Sequence, residues 1–133
     1  REFDGRGLLG NKSSDLVKKI LETGKQVIIS SNQSLENSKF YNNSKIKWLY
    51  CVPKYPCSLE ELDFSELDKF DGFSNHCPQL MAPLSAAILG TEIIEIHITS
   101  DKTKKFIDNN VSFDYNELTE VIRLIRLSEK IKR

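Results

Sequence analysis

The stretch Asp71–Thr99, DGFSNHCPQLMAPLSAAILGTEIIEIHIT, decides the fold. A short apolar strand closes on Ser74-Asn75-His76, a helix with a small-residue face continues through Ala87, Gly90 ends it, and a β-branched strand runs from Thr91 to Thr99. These segments make a strand-helix-strand unit. Such a crossover within one sheet joins parallel strands in the right-handed sense, so His76 and His97 both leave the sheet at its carboxyl edge, on neighbouring strands. Ligands of parallel α/β sheets bind at that edge.

The same alternation continues on either side. Toward the amino terminus, Val27-Ile28-Ile29 is a short apolar run of the kind buried on both faces of a parallel sheet, and it ends on Ser30-Ser31-Asn32. Before it, Leu16, Val17, Ile20 and Leu21 share one helical face between a cap at Ser13-Ser14 and a stop at Gly24, which predicts a helix over 14–23. Residues 31–45 are rich in Ser, Asn and Lys and predict a loop with at most a turn of helix. IKWLYCV, residues 46–52, resumes the strand pattern, and Pro53 ends it because proline cannot donate to a ladder. Ser58–Glu61 and Ser65–Asp68 predict short capped helices, the first with a Ser-x-x-Glu capping box. Past Thr99 and a polar segment, Asp114-Tyr115-Asn116-Glu117 caps a last helix whose Leu118, Val121, Ile122 and Ile125 recur at helical spacing. The basic end of that helix suits its negative dipole terminus.

The resulting order is α-β-β-α-β-α-β-α, which argues for about four parallel strands with covering helices. A (β/α)8 barrel needs about 250 residues, and this chain has 133. The expected fold is therefore half of a TIM-type barrel, with residues 14–133 as the partial barrel domain and residues 1–13 as a poorly defined segment before it. Half a barrel leaves two strand edges and an apolar interior to be covered, so a complementing amino-terminal half-barrel or a homo-oligomer is expected as partner.

Nineteen basic residues balance nineteen acidic ones, so no net field draws the chain to nucleic acid or to an anionic membrane, and neither is expected as a partner. No apolar run approaches the roughly 18 residues of a membrane span, and Arg1-Glu2-Phe3-Asp4 does not open a signal peptide. Three widely spaced cysteines predict reduced thiols rather than a disulfide framework, and with them a cytoplasmic location. Opening on Arg1 rather than Met is what a fragment or a processed chain is expected to do.

Two histidines on adjacent strand ends can reach one divalent ion, and imidazole suits Zn, Mn, Fe or Ni. The competing reading makes His76 a loop-bonding residue and His97 a satisfied strand-end residue. Cys77, with Cys51 and Cys57, opens a third reading as a zinc-stapled module, although the spacings lack the close Cys-x₂₋₄-Cys pairs of structural zinc sites. Ser30, Ser74 and Asn75 are neutral groups of the type that hold phosphate or carboxylate oxygens. There is no Gly-rich phosphate loop, nucleophile elbow or triad spacing.

Several of these segments together resemble the sialic acid synthases. Gly72-Phe73-Ser74-Asn75-His76, followed 21 residues after His76 by Glu95-Ile96-His97-Ile98-Thr99, is similar to their G-[FY]-S-D-H-T and E-K-H-F-T motifs. Gly24-Lys25 with Ile28-Ile29-Ser30-Ser31 is similar to G-K-P-[IV]-x-x-S-T-G, and Cys51 with Tyr55-Pro56 to H-C-T-x-x-Y-P-T. Asp108 and Ser112 occupy the spacing of P-G-P-D-H-K-A-S. The likeness spans about residues 14 to 127, the fifth to eighth strands of the family's barrel.

The resemblance implies condensation of phosphoenolpyruvate with an N-acyl hexosamine of the N-acetylmannosamine type to give a nine-carbon sugar acid. It also implies a divalent metal, usually Mn2+, held by His76 and His97. By the same resemblance Ser30 and Ser74 contact phosphoenolpyruvate, Tyr55 and Asp108 contact the sugar, and Asn75 and Glu95 stand behind the metal ligands; no residue is assigned as catalytic. The chain departs from the motifs at Asn75 for Asp, Cys77 for Thr, Pro53 for a polar residue and Lys105-Phe106-Ile107 for Pro-Gly-Pro. The first four strands and the C-terminal antifreeze-like domain have no counterpart here, so this chain alone is expected to be inactive. These departures support an alternative in which the chain is a non-catalytic diverged half-barrel serving as a binding or assembly module.

Overall fold

The computed structural model describes residues 14–131; the segment 1–13, with the expected cap at Ser13, lies outside them. Helix α1 (Ser14–Glu22) leads into β1 (Val27–Ser31), followed by β2 (Ile46–Tyr50), β3 (Gly72–Asn75), α2 (Met81–Ile88), β4 (Ile93–Ile96) and α3 (Tyr115–Ser128). The sheet has the order β1-β2-β3-β4 with every pair parallel, the order of consecutive strands in a (β/α)8 barrel. The paired strands are shorter than expected for 46–52 and 91–99. Pro53 has no amide hydrogen to extend β2, and the polar termini bend out of the ladder to build loops.

Glycine stops two of the elements for the expected reason. Gly24 (φ +75°) and Gly90 (φ +101°) adopt the left-handed conformation that closes α1 and α2, and the Gly24 and Gly90 amides bond back to the Leu21 and Ala87 carbonyls at 3.0 Å. Asp114 caps α3, its carboxylate accepting from the Asn116 and Glu117 amides at 2.9 Å, while Glu117 accepts from the Asp114 amide at 2.9 Å. At residues 58–61 the expected capping box is present, with the Ser58 amide donating to Glu61 at 2.9 Å, but the element it caps is a single 3₁₀ turn (Leu59–Glu61). A second turn (Leu67–Lys69) completes this crossover, and the β1–β2 connection holds only the turn Leu35–Asn37.

The core lies on the helix-covered face of the sheet, in two clusters. Val17, Ile29, Leu35, Phe40, Ile46 and Trp48 form one; Phe73, Leu67, Cys57, Cys77, Ala82 and Ala86 form the other. The small residues of α2 let the helix approach Phe73 closely. Leu16 and Ile20, which share one face of α1 with the buried Val17, are themselves exposed among the described residues, as is Ile122 on α3. Alternation along the strands places Ile28, Ser30, Leu49, Gly72, Ser74 and Glu95 on the opposite face. Ser30, Leu49 and Ser74 are buried at its centre, whereas Ile28 and Glu95 are exposed.

Gly72 is needed there for space. A Cβ at this position would stand 2.1 Å from the Ile93 carbonyl oxygen and 2.7 Å from Leu49 Cδ2, so only glycine lets β3 lie between its neighbours. The amino edge of the sheet is clamped by Asp71, which accepts from the Trp48 amide and from Lys47 Nζ, both at 2.7 Å. This contact, with Glu92 beyond it, raises the pKa of Lys47.

Candidate metal and substrate site

The last β3–β4 pair is Asn75 with Ile96, so the next residues, His76 and His97, emerge side by side at the carboxyl edge. Their ring centroids are 5.7 Å apart. His97 is held from behind as well, because its carbonyl accepts from the Phe113 amide and the Phe113 carbonyl accepts from the Thr99 amide, each at 2.9 Å. This parallel bridge to Phe113 was not anticipated, although the alternation Val111-Ser112-Phe113 carries a weak strand signal.

The ring of His76 is oriented by its contacts. Nδ1 meets the carbonyl oxygen of Val52, a group that can only accept, so Nδ1 carries the proton and the lone pair sits on Nε2. Tyr55 lies over the imidazole, with centroids 4.0 Å apart and planes tilted by 30°, and meets His97 edge-on at 5.8 Å. The Tyr55–Pro56 peptide is cis. Behind it, the Cys57 amide donates to the His76 carbonyl at 3.0 Å. A backbone carbonyl leaves no mark in a sequence, and Val52 was not foreseen.

Asp108 lies beside His97, its Oδ2 3.6 Å from Nδ1, a charge contact longer than a hydrogen bond. Its own backbone carbonyl accepts from the Ser112 hydroxyl at 2.8 Å, so the expected Asp108–Ser112 spacing closes a local turn. An open cleft of about 360 Å³ runs along His97, Thr99, Phe106, Asp108, Asn109 and Ser112. Asn109 shapes its wall by donating to the Asp101 and Lys104 carbonyls at 3.0 and 2.6 Å. The Thr103 hydroxyl and amide hold the Asp101 carboxyl below its ordinary range.

The remaining residues divide by face. Ser30 and Ser74 are buried at the carboxyl ends of β1 and β3, on the face that leads up to the histidines. Glu95 pairs with Ser74 across the ladder and is exposed on that same face, two residues before His97. Asn75 points the other way and is fully buried, with Nδ2 donating to the Cys77 carbonyl at 2.7 Å and Oδ1 accepting from the Cys77 amide at 3.2 Å. It holds the turn that follows His76.

The cysteines build no zinc staple: among the described residues no group of three or more His, Cys, Asp and Glu side chains is placed to hold a metal. Cys51, Cys57 and Cys77 are reduced and buried, and burial, helped by neighbouring Cys77, pushes the Cys57 thiol up to about 11. A thiol in that state is a core residue rather than a ligand. The two imidazoles are the donors at the carboxyl edge.

The NeuB family model matches residues 10–133. The chain belongs to the NeuB family. It is 31% identical to an uncharacterized protein of Methanocaldococcus jannaschii, covering 87% of this chain and 39% of that protein. It is 30% identical to N-acetylneuraminate-9-phosphate synthase of Homo sapiens, covering 86% of this chain and 36% of the enzyme. With the pseudaminic acid synthase of Campylobacter jejuni, serotype O:2, the figures are 26%, 86% and 38%. Among solved structures, the N-acetylneuraminic acid (sialic acid) synthetase of Leptospira borgpetersenii, crystallised with citrate, superposes with a TM-score of 0.78 at 26% identity, over 87% of this chain and 46% of that one. This NeuB-family chain thus spans less than half the length of these relatives, 36–46%. None of its helices among the described residues is long and apolar enough to cross a membrane.

Proposed function

We propose that this NeuB-family chain forms the metal- and sugar-binding half of a sialic acid synthase-like site that joins phosphoenolpyruvate to an N-acyl hexosamine. The observation that carries the reading is the pairing of His76 and His97 at the carboxyl edge of adjacent parallel strands, 5.7 Å apart, with Tyr55 packed against both. Similarity to sugar acid synthases along almost the whole chain supports it.

The donor set fits a divalent ion such as Mn2+. Val52 holds the proton of His76 on Nδ1, which puts the lone pair of the ring on Nε2, and Asp108 stands 3.6 Å from His97 Nδ1, where carboxylates stand behind ligating histidines. When bound, such an ion supplies Lewis acidity that polarises the sugar aldehyde toward the enol carbon of phosphoenolpyruvate. The hydroxyls of Ser30 and Ser74 are proposed to bind phosphoenolpyruvate. Tyr55, edge-on to His97, and Asp108, in the wall of the cleft, are proposed to orient the hexosamine. Glu95 is proposed to reach the pair from the open sheet face, and the remaining groups of the site come from a complementing amino-terminal half-barrel or a second copy.

The test is phosphate release from phosphoenolpyruvate, measured with the full-length protein or with this chain mixed with a complementing half. Turnover is expected only when both hexosamine and Mn2+ are present. No turnover under any pairing overturns the reading. One observation favours the alternative of a diverged, non-catalytic half: Asn75 replaces the motif carboxylate, and both ends of its amide are engaged by Cys77, so it faces away from the histidines. Mn2+ binding by the chain that is lost in His76→Ala and His97→Ala counts against that alternative.

A further inference from the structure

We infer that Tyr55 is a positioning residue for His76, acting through its aromatic face. The inference rests on the metal reading above, and deepens it by separating how the ligand is held from how the sugar is bound. Three contacts from one loop converge on His76: the Val52 carbonyl on Nδ1, the Tyr55 ring on the imidazole face and the Cys57 amide on the backbone carbonyl.

These contacts have different roles. The Cys57 bond places the backbone of His76, and the Val52 bond selects the tautomer and fixes one direction in the ring plane. The Val52 hydrogen bond by itself fixes a direction in the ring plane and not the tilt about it. The stack opposes that tilt. At 4.0 Å between centroids and 30° between planes, the rings are in van der Waals contact, so that face of Tyr55 has no space for a sugar. The edge of the same ring meets His97 at 5.8 Å, so Tyr55 also limits how far the two imidazoles can turn apart. An imidazole that shares its lone pair with a cation becomes electron-poor, and the negative face of a phenol ring stabilises that form. Phenylalanine provides the same face; leucine and alanine do not.

The experiment uses this chain and its Tyr55→Phe, Tyr55→Leu and Tyr55→Ala variants, with Mn2+ alone as probe. Binding is read by the loss of the free Mn2+ electron paramagnetic resonance signal, and the His76 tautomer by long-range 1H–15N spectra without metal. Tyr55→Phe is expected to bind Mn2+ within about twofold of the parent, and the Leu and Ala variants roughly three- to tenfold more weakly, the range expected of one aromatic pair. The parent and Tyr55→Phe should hold the single Nδ1–H tautomer, with both tautomers appearing in Tyr55→Leu and Tyr55→Ala, where a ring no longer held against tilting loses its Val52 bond. Unchanged binding and tautomer in the Leu variant overturn the inference, as does a Phe variant as weak as the Ala one. If no variant binds Mn2+, the metal reading falls, and the tautomer contrast alone decides whether Tyr55 positions His76.

Discussion

Replacing Gly72 by alanine should be strongly destabilising. The new Cβ would lie 2.1 Å from the Ile93 carbonyl oxygen, 2.7 Å from Leu49 Cδ2 and 2.8 Å from Ile93 Cβ. Leu49 can shift its methyl, but the carbonyl belongs to β4, so β3 and β4 must separate by about 1 Å to restore a normal contact. Four residue pairs join these strands, Gly72–Ile93 through Asn75–Ile96, and a separation of that size weakens the hydrogen bonds nearest the clash. Overpacking costs typically 1–3 kcal/mol and each lost net hydrogen bond about 1 kcal/mol, so a loss of about 3–5 kcal/mol is expected. That is a large part of the 5–15 kcal/mol available to a domain of ordinary stability. Urea unfolding followed by the fluorescence of Trp48, the single tryptophan and a buried one, reads the loss directly. The control is Gly24→Ala, where nothing lies within 4 Å of the added Cβ and the cost is the left-handed φ of +75° alone, about 1–2 kcal/mol. If Gly72→Ala costs no more than Gly24→Ala, the close-approach argument fails. Because β3 and β4 also deliver His76 and His97, Mn2+ binding should fall with the same substitution.

Asp71→Ala removes the carboxylate shared by the Trp48 amide and Lys47, and should cost about 2 kcal/mol in the same urea assay by leaving a sheet amide unpaired. Asp108→Asn is expected to weaken Mn2+ binding about tenfold by equilibrium dialysis. It should leave the urea midpoint unchanged, because the local turn uses the backbone carbonyl of Asp108 and not its side chain. Cys57 links stability to alkaline pH: its thiol has a folded pKa of about 11 against an ordinary 9.0, so the neutral form is favoured by folding. That stabilisation is complete below pH 9 and is lost as the pH rises toward 11, about 2–3 kcal/mol in all. Cys57→Ala should flatten the decline, and a parent curve level from pH 9 to 11 contradicts the assignment.

The linear pattern of this chain carried the element types. Hydrophobic period separated strands from helices, glycines marked the ends of α1 and α2, and Asp114 with Glu117 marked the start of α3, because caps and stops are local chemistry between residues a few positions apart. The spacing from His76 to His97 measures one strand-helix-strand crossover, and so by itself places both residues at one sheet edge. Leu16, Ile20 and Ile122 share the helical faces that the period assigns them yet are exposed, because helical period tells which residues share a face, not whether anything covers it.

What depended on tertiary structure was direction and partnership. Asn75 sits beside His76 in the motif but points to the opposite face, and only the folded strand reveals that its amide serves Cys77. The His76 tautomer is set by the carbonyl of Val52, 24 residues away, and every residue carries such a carbonyl. The family resemblance implies sugar contacts for Tyr55 and Asp108, and folding brings one onto the face of His76 and the other beside His97. Local sequence encodes periodicity and caps through short-range sterics, whereas the orientation of a ring is settled by whichever distant groups the packed chain delivers to it.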